Sequence, residues 1–166
     1  MKKIINALFL LAIGIMTFSS CSDVPAPYDT PNQNDNNPTK PVTAEPAGSG
    51  TESDPYNVAA AIKLLKEQPA DQKTAPMFVK GVIAEIKKVD TGIYDYYIID
   101  KDYPNHKLKI FQSKFLANAE FTAANQIKVG DVVVIYGPFV NYQGNTPETV
   151  GKSATYIYNL NGKGGG

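Results

Sequence analysis

Three observations on the sequence predict a mainly β domain carried behind an export leader and a tether. From residue 77 onward, short runs rich in Val, Ile, Tyr and Phe alternate with turn-forming clusters, the pattern of strands. Residues 4–18 form an apolar run behind Lys2 and Lys3. Between residues 22 and 50 stand six of the 12 prolines, among few apolar side chains. The 166-residue length suits one domain.

Taken in order, the leader comes first. Ile4–Phe18 is 15 residues long, short of the roughly 20 that span a bilayer, and it fits the apolar region of a secretory signal peptide over residues 1–20. The alternative is an unprocessed membrane helix. Phe18-Ser19-Ser20-Cys21 resembles a bacterial lipobox, with Phe at a first position that is usually Leu. That resemblance implies acylation of Cys21 and anchoring to the cell envelope, most simply at the outer membrane. Loss of residues 1–20 leaves 14 Lys against 16 acids, a net charge of −2.

Residues 21–49 read as a lipid-anchored disordered linker, because proline denies both helix and ladder and too little apolar surface exists for a core. A coil of this length reaches about 30 Å. The domain is placed at 50–160. Asn57 is an N-cap candidate, and Val58, Ile62 and Leu65 recur at helical spacing, so a helix runs from there to Glu67–Gln68, ahead of Pro69. Strands are expected at Met77–Val89, Ile93–Lys101, Lys107–Gln112, Val132–Tyr142 and Thr149–Leu160, with an irregular-to-helical insert over Ser113–Asn125. The glycine-rich tail 161–166 is expected to fray. Five strands with a helical insert between the third and fourth are the order of an OB-fold, a small Greek-key barrel.

Several segments carry a family resemblance: Gly50-Thr51-x-x-Asp54-Pro55-Tyr56 before Val58-Ala59-x-Ala61-Ile62, Val79-Lys80-Gly81-Val82-Ile83, Tyr97-Ile98-Ile99-Asp100, Val129-Gly130-Asp131-x-Val133-x-Ile135-Tyr136-Gly137, and Thr146-Pro147-Glu148. Over about residues 50–160 they resemble the OB-fold domains of Bacteroidetes-type lipoproteins, which are grouped with the nucleic-acid-binding, anticodon-type OB-folds. The resemblance implies single-stranded nucleic acid as a ligand. The same fold also hosts oligosaccharide and protein binders.

Such domains bind across the second and third strands. With Asp102–His106 as the hairpin loop, Lys101 would face Lys107, Ile99 would face Lys109 and Tyr97 would face Phe111. Alternation sends Tyr96, Ile98, Leu108 and Ile110 inward, and leaves Tyr97, Phe111, Lys107 and Lys109 on the outer face. Rings for stacking beside lysines for phosphate suit a single strand. Lys87, Lys88 and Tyr142 would line the flanking loops. The competing reading is a stabilising cross-strand pair with solvated lysines.

Composition weighs against other classes. All 16 basic residues are Lys and none is Arg, unlike a duplex-DNA clamp. One His and one Cys disfavour a multi-ligand zinc or iron–sulfur site. Asp95, Asp100 and Asp102 could hold Ca²⁺, or be ordinary turn formers. Gly151-Lys152-Ser153 mimics a phosphate loop but lacks the earlier glycine and leads into a strand. No catalytic constellation and no cofactor is expected. The predicted function is a lipid-tethered, non-enzymatic binding module for single-stranded nucleic acid, or alternatively an oligosaccharide- or protein-binding adaptor.

Overall fold

The computed structural model describes residues 43–166 apart from 91, 125, 152, 153, 165 and 166, and leaves out the side chains of Lys88 and Val89. The expected signal peptide, Cys21 and the expected linker up to residue 42 therefore lie outside the described residues.

The helix forms where the apolar spacing places it. α1 spans Val58–Glu67, with Asn57 Oδ1 accepting the Ala60 amide at 2.9 Å. The same Asn57 side chain takes the Ala47 amide at 3.0 Å and donates to the Glu45 carbonyl at 2.7 Å. Composition assigns Glu45–Ser49 to the linker; the structure instead bonds this segment to the helix cap. Val58, Ile62 and Leu65 are buried and join Val79, Ile98, Leu108 and Phe139 in one core. Each such side chain contributes about 1.5–3 kcal/mol on burial.

The strands are β1 (Met77–Asp90), β2 (Ile93–Ile99), β3 (Lys107–Ser113), β4 (Val132–Gly137), β5 (Phe139–Tyr142), β6 (Thr146–Thr149), β7 (Tyr156–Leu160) and β8 (Lys163–Gly164). The insert holds a short 3-10 turn at Leu116–Asn118. The described residues are thus mainly β with one α-helix, as expected. The expected closed barrel of five strands is corrected to an eight-stranded mixed sheet in the open order β5-β6-β3-β2-β1-β4-β7-β8.

Two breaks account for the difference. The expected strand Val132–Tyr142 is interrupted at Pro138, which has no amide to give a ladder, after Gly137 at φ 147°. A Cβ on Gly137 would lie 2.6 Å from the Ala154 carbonyl oxygen, so only glycine fits this bend. The expected strand Thr149–Leu160 is likewise split between Thr149 and Tyr156. Each half then finds its own neighbour: β4 lies between β1 and β7, while β5 pairs with β6, which runs parallel to β3 at Lys109–Glu148. The tail does not simply fray either. Asn161 and Gly162 adopt positive φ (52° and 82°), the two-residue hairpin geometry, and return β8 onto β7.

Asp100 fixes the junction between helix and sheet. Its carboxylate, 9% exposed, accepts the Val58 amide at Oδ1 and the Ala59 amide at Oδ2, both at 2.9 Å. A negative charge at a helix N-terminus satisfies otherwise orphan donors and meets the positive end of the helix dipole. We expect Asp100→Ala to lower stability by about 2–3 kcal/mol through two unsatisfied buried amides. Urea denaturation would check this, and a change below about 0.5 kcal/mol would contradict the role.

Candidate functional site

The inward set of the β2–β3 hairpin is as alternation predicts: Tyr96, Ile98, Leu108 and Ile110 are fully buried. The register is not. Ile99 pairs with Lys107 and Tyr97 with Lys109, so Tyr97 does not face Phe111. The cause is Asp100, which leaves the strand to cap α1 and lengthens the loop to residues 100–106. The slip is of two residues, so the outer residues stay outside. A bulge beyond Tyr96 absorbs the rest, with the Gln112 amide donating to Asp95 Oδ1 at 2.7 Å.

Phe111 sits apart from Tyr97, half-buried against Gly151, where a Cβ would lie 2.7 Å from its ring. Its backbone is held by Thr149, whose hydroxyl accepts the Phe111 amide at 2.8 Å and donates to its carbonyl at 3.1 Å. Lys109 Nζ lies 4.6 Å from the Phe111 ring centroid, and Lys107 Nζ 6.0 Å from that of Tyr97. Both lysines are also ion-paired. Lys109 pairs with Glu148 at 2.6 Å, with the Glu148 side chain only 7% exposed. Glu85 is shared by Lys87 at 2.6 Å and Lys107 at 3.2 Å. The hydrogen bond from Lys87, then that from Lys107, lowers the Glu85 pKa, so its charge persists below the ordinary carboxylate range.

A row Glu85–Tyr97–Lys109–Glu148 therefore crosses β1, β2, β3 and β6, and its charged members are all ion-paired. Tyr142 is exposed but lies on β5, separated from β3 by β6, and its hydroxyl accepts from Gln143 Nε2 at 3.3 Å. Lys88 pairs with Asp95 through the backbone of β1, and its side chain lies outside the described set. The acids considered for Ca²⁺ are dispersed: Asp100 caps α1, Asp95 holds Gln112, and no metal-binding cluster occurs among the described residues. Lys152 and Ser153 of the phosphate-loop mimic lie outside the described residues.

A second aromatic surface was not singled out from the sequence. Phe78, Tyr136, Tyr156 and Tyr158 are half-buried on the outer face of β1, β4 and β7. Phe78 packs on Tyr136 at 4.6 Å and edge-on to Tyr158 at 5.0 Å, and Tyr136 meets Tyr156 at 5.5 Å. The Tyr158 hydroxyl donates to Glu52 at the margin. Burial and then the proximity of Tyr136 raise the Tyr156 pKa. Each ring pair contributes about 0.5–1.5 kcal/mol beyond its buried area. The signal was present as period-2 alternation in Met77-Phe78-Val79 and Tyr156-Ile157-Tyr158, where every second residue faces out.

A concavity of about 550 Å³ lies beside Tyr94 and Phe121 and is lined by Asp90, Glu120 and Ala123 among others. Tyr94 stacks on Phe121 at 3.9 Å and donates its hydroxyl to the Ala123 carbonyl, so both rings serve as wall. No protein-family model matches the chain, and no curated protein is significantly similar to it in sequence. Residue roles accordingly rest on geometry.

Glu148→Ala would leave half-buried Lys109 without its carboxylate. We expect a loss of about 1–2 kcal/mol, read from the urea midpoint, because removing one partner strands the other charge. An unchanged midpoint would show the pair to be no more than a surface contact.

Proposed function

We propose that the chain is an exported, non-enzymatic binding module, anchored through acylated Cys21, which holds oligosaccharide on the aromatic ledge formed by Phe78, Tyr136, Tyr156 and Tyr158. The observation that carries this reading is the contrast between the two aromatic surfaces. On the β2–β3 face the lysines beside the rings are already paired with Glu85 and Glu148. Phosphate would have to displace those carboxylates, and single-strand binding draws much of its affinity from unneutralised cations. On the β1–β4–β7 face four rings adjoin one another without needing such a charge array. The electron-rich faces of aromatic rings attract the C–H faces of pyranose sugars, an attraction that needs no net charge on the ligand.

The nucleic-acid reading keeps one observation in its favour, the placing of Lys107 and Lys109 above Tyr97 and Phe111. Salt separates the two readings, because phosphate binding releases counterions and weakens steeply with ionic strength, whereas sugar stacking does not. The full chain in detergent should be retarded in affinity gels containing polysaccharide, at low and moderate salt alike. Tyr136→Leu, which keeps apolar bulk but removes the π face, should weaken that retardation at least tenfold in a protein whose circular dichroism is unchanged. Tyr97→Ala should not. Salt-sensitive capture of oligo-dT, lost in Tyr97→Ala/Phe111→Ala and with no polysaccharide retardation, would overturn the saccharide reading.

Anchoring has its own test. Cys21→Ser should move the protein from the membrane pellet to the soluble fraction of expressing cells. Persistence in the membrane fraction would argue against acylation as the anchor.

A further inference from the structure

β1 changes partner part-way along, and a notch opens at the change. From Val82 onward it pairs with β2. Between Phe78 and Lys80 it bonds instead to Tyr56, whose amide donates to the Phe78 carbonyl at 3.0 Å and whose carbonyl accepts the Lys80 amide at 2.8 Å. β2 ends at Ile99 because Asp100 turns inward to cap α1. Between the departing β2 and the arriving Pro55–Asn57 a groove of about 370 Å³ remains, lined by Pro55, Lys80, Val82, Asp100, Lys101 and Val132.

The charge in this groove is unbalanced. Lys80 and Lys101 are both exposed, and the ion pairs among the described residues engage Lys87, Lys107, Lys109 and Lys128 but neither of these. The acid in the lining is Asp100, and each of its oxygens already accepts a helix amide. Two lysines against one committed carboxylate leave a positive groove. Its remaining walls are Pro55, Gly81, Val82 and the exposed Val132, together with the polar Asn57. It also adjoins the ring ledge: Lys80 and Phe78 stand two residues apart on the same face of β1, a spacing of about 7 Å.

We propose that this groove is an anion subsite and that the ligand of the ledge is an acidic oligosaccharide, whose carboxylate lies between Lys80 and Lys101 while a neighbouring ring stacks on Phe78 and Tyr136. The inference rests on the saccharide reading of the ledge. The charge pattern favours a uronic acid over a single-stranded nucleic acid. A nucleic acid strand carries one phosphate per nucleotide and asks for cations along its whole track, whereas here two lysines, Lys80 and Lys101, line one groove at the end of the ledge.

The test is calorimetric titration of the full chain in detergent with uronic-acid oligomers cut from polygalacturonate and alginate, beside the same oligomers after carboxyl reduction. The acidic oligomers should bind at least tenfold more tightly than the reduced ones. Lys80→Gln/Lys101→Gln should abolish that preference while leaving the affinity for reduced oligomers within about twofold. Tyr136→Leu should weaken both. Equal binding of acidic and reduced oligomers, unchanged in the lysine variant, would overturn the anion subsite and leave the ledge standing. Failure of every oligomer to bind would overturn the ledge reading and the subsite with it. Binding of oligo-dT that the lysine variant loses, without uronate binding, would assign the groove to phosphate and overturn the acidic-sugar proposal.

Discussion

The carboxylate of Asp100 is the constraint on which the rest of the domain depends. It stands at the end of a strand, yet its oxygens take the first two amides of a helix that begins 42 residues earlier in the chain. Those amides have no partner within the helix, and leaving them bare in a buried setting is costly. Satisfying them draws Asp100 out of the sheet. The β2–β3 loop then starts one residue after Ile99, and the facing pairs of the hairpin move by two. The strand edge that Asp100 vacates is taken up by Tyr56, and the gap between the two occupants becomes the groove beside Lys80 and Lys101. One side chain thus orients the helix, sets the hairpin register and shapes the candidate anion subsite.

Ion pairing distinguishes the two outer faces. On the β2–β3 side, Glu85 and Glu148 stand within 3.2 Å of the lysines that flank the rings. The Lys109–Glu148 pair is partly shielded from water and carries the parallel contact between β3 and β6. Such a pair suits a structural seam better than a phosphate track, since a ligand would have to strip a carboxylate already in place. On the β1–β4–β7 side the rings pack on one another, and the ion pairs among the described residues include neither Lys80 nor Lys101. That asymmetry, rather than the count of aromatics or lysines, separates the candidate surfaces.

Much of the local structure was legible. Asn57 before the Val58, Ile62 and Leu65 stripe marked the helix, and β-branched runs marked the strands, because these signals act over a few residues. The aromatics of the β7 region are equally legible by period 2, but alternation marks a ring as outward without saying which rings of other strands it will meet. Asn161-Gly162 carried a strong hairpin signal within a tail that glycine content alone would leave unstructured. The breaks at Pro138 and between Thr149 and Tyr156 were harder to read. A proline inside an apolar run says that one amide is missing, not which neighbour each half will find.

The sequence alone determined that the described domain is mainly β with one short amphipathic helix, and which residues of each element face inward, because helix and strand periodicity are written in the order of side chains. Tertiary structure decided the strand order, the register across β2 and β3, and which lysines carry a carboxylate partner. Those depend on contacts such as Val58–Asp100 and Lys109–Glu148, between residues 42 and 39 positions apart. No local pattern encodes such distances, because the side chains that meet are chosen by the packing of the whole core.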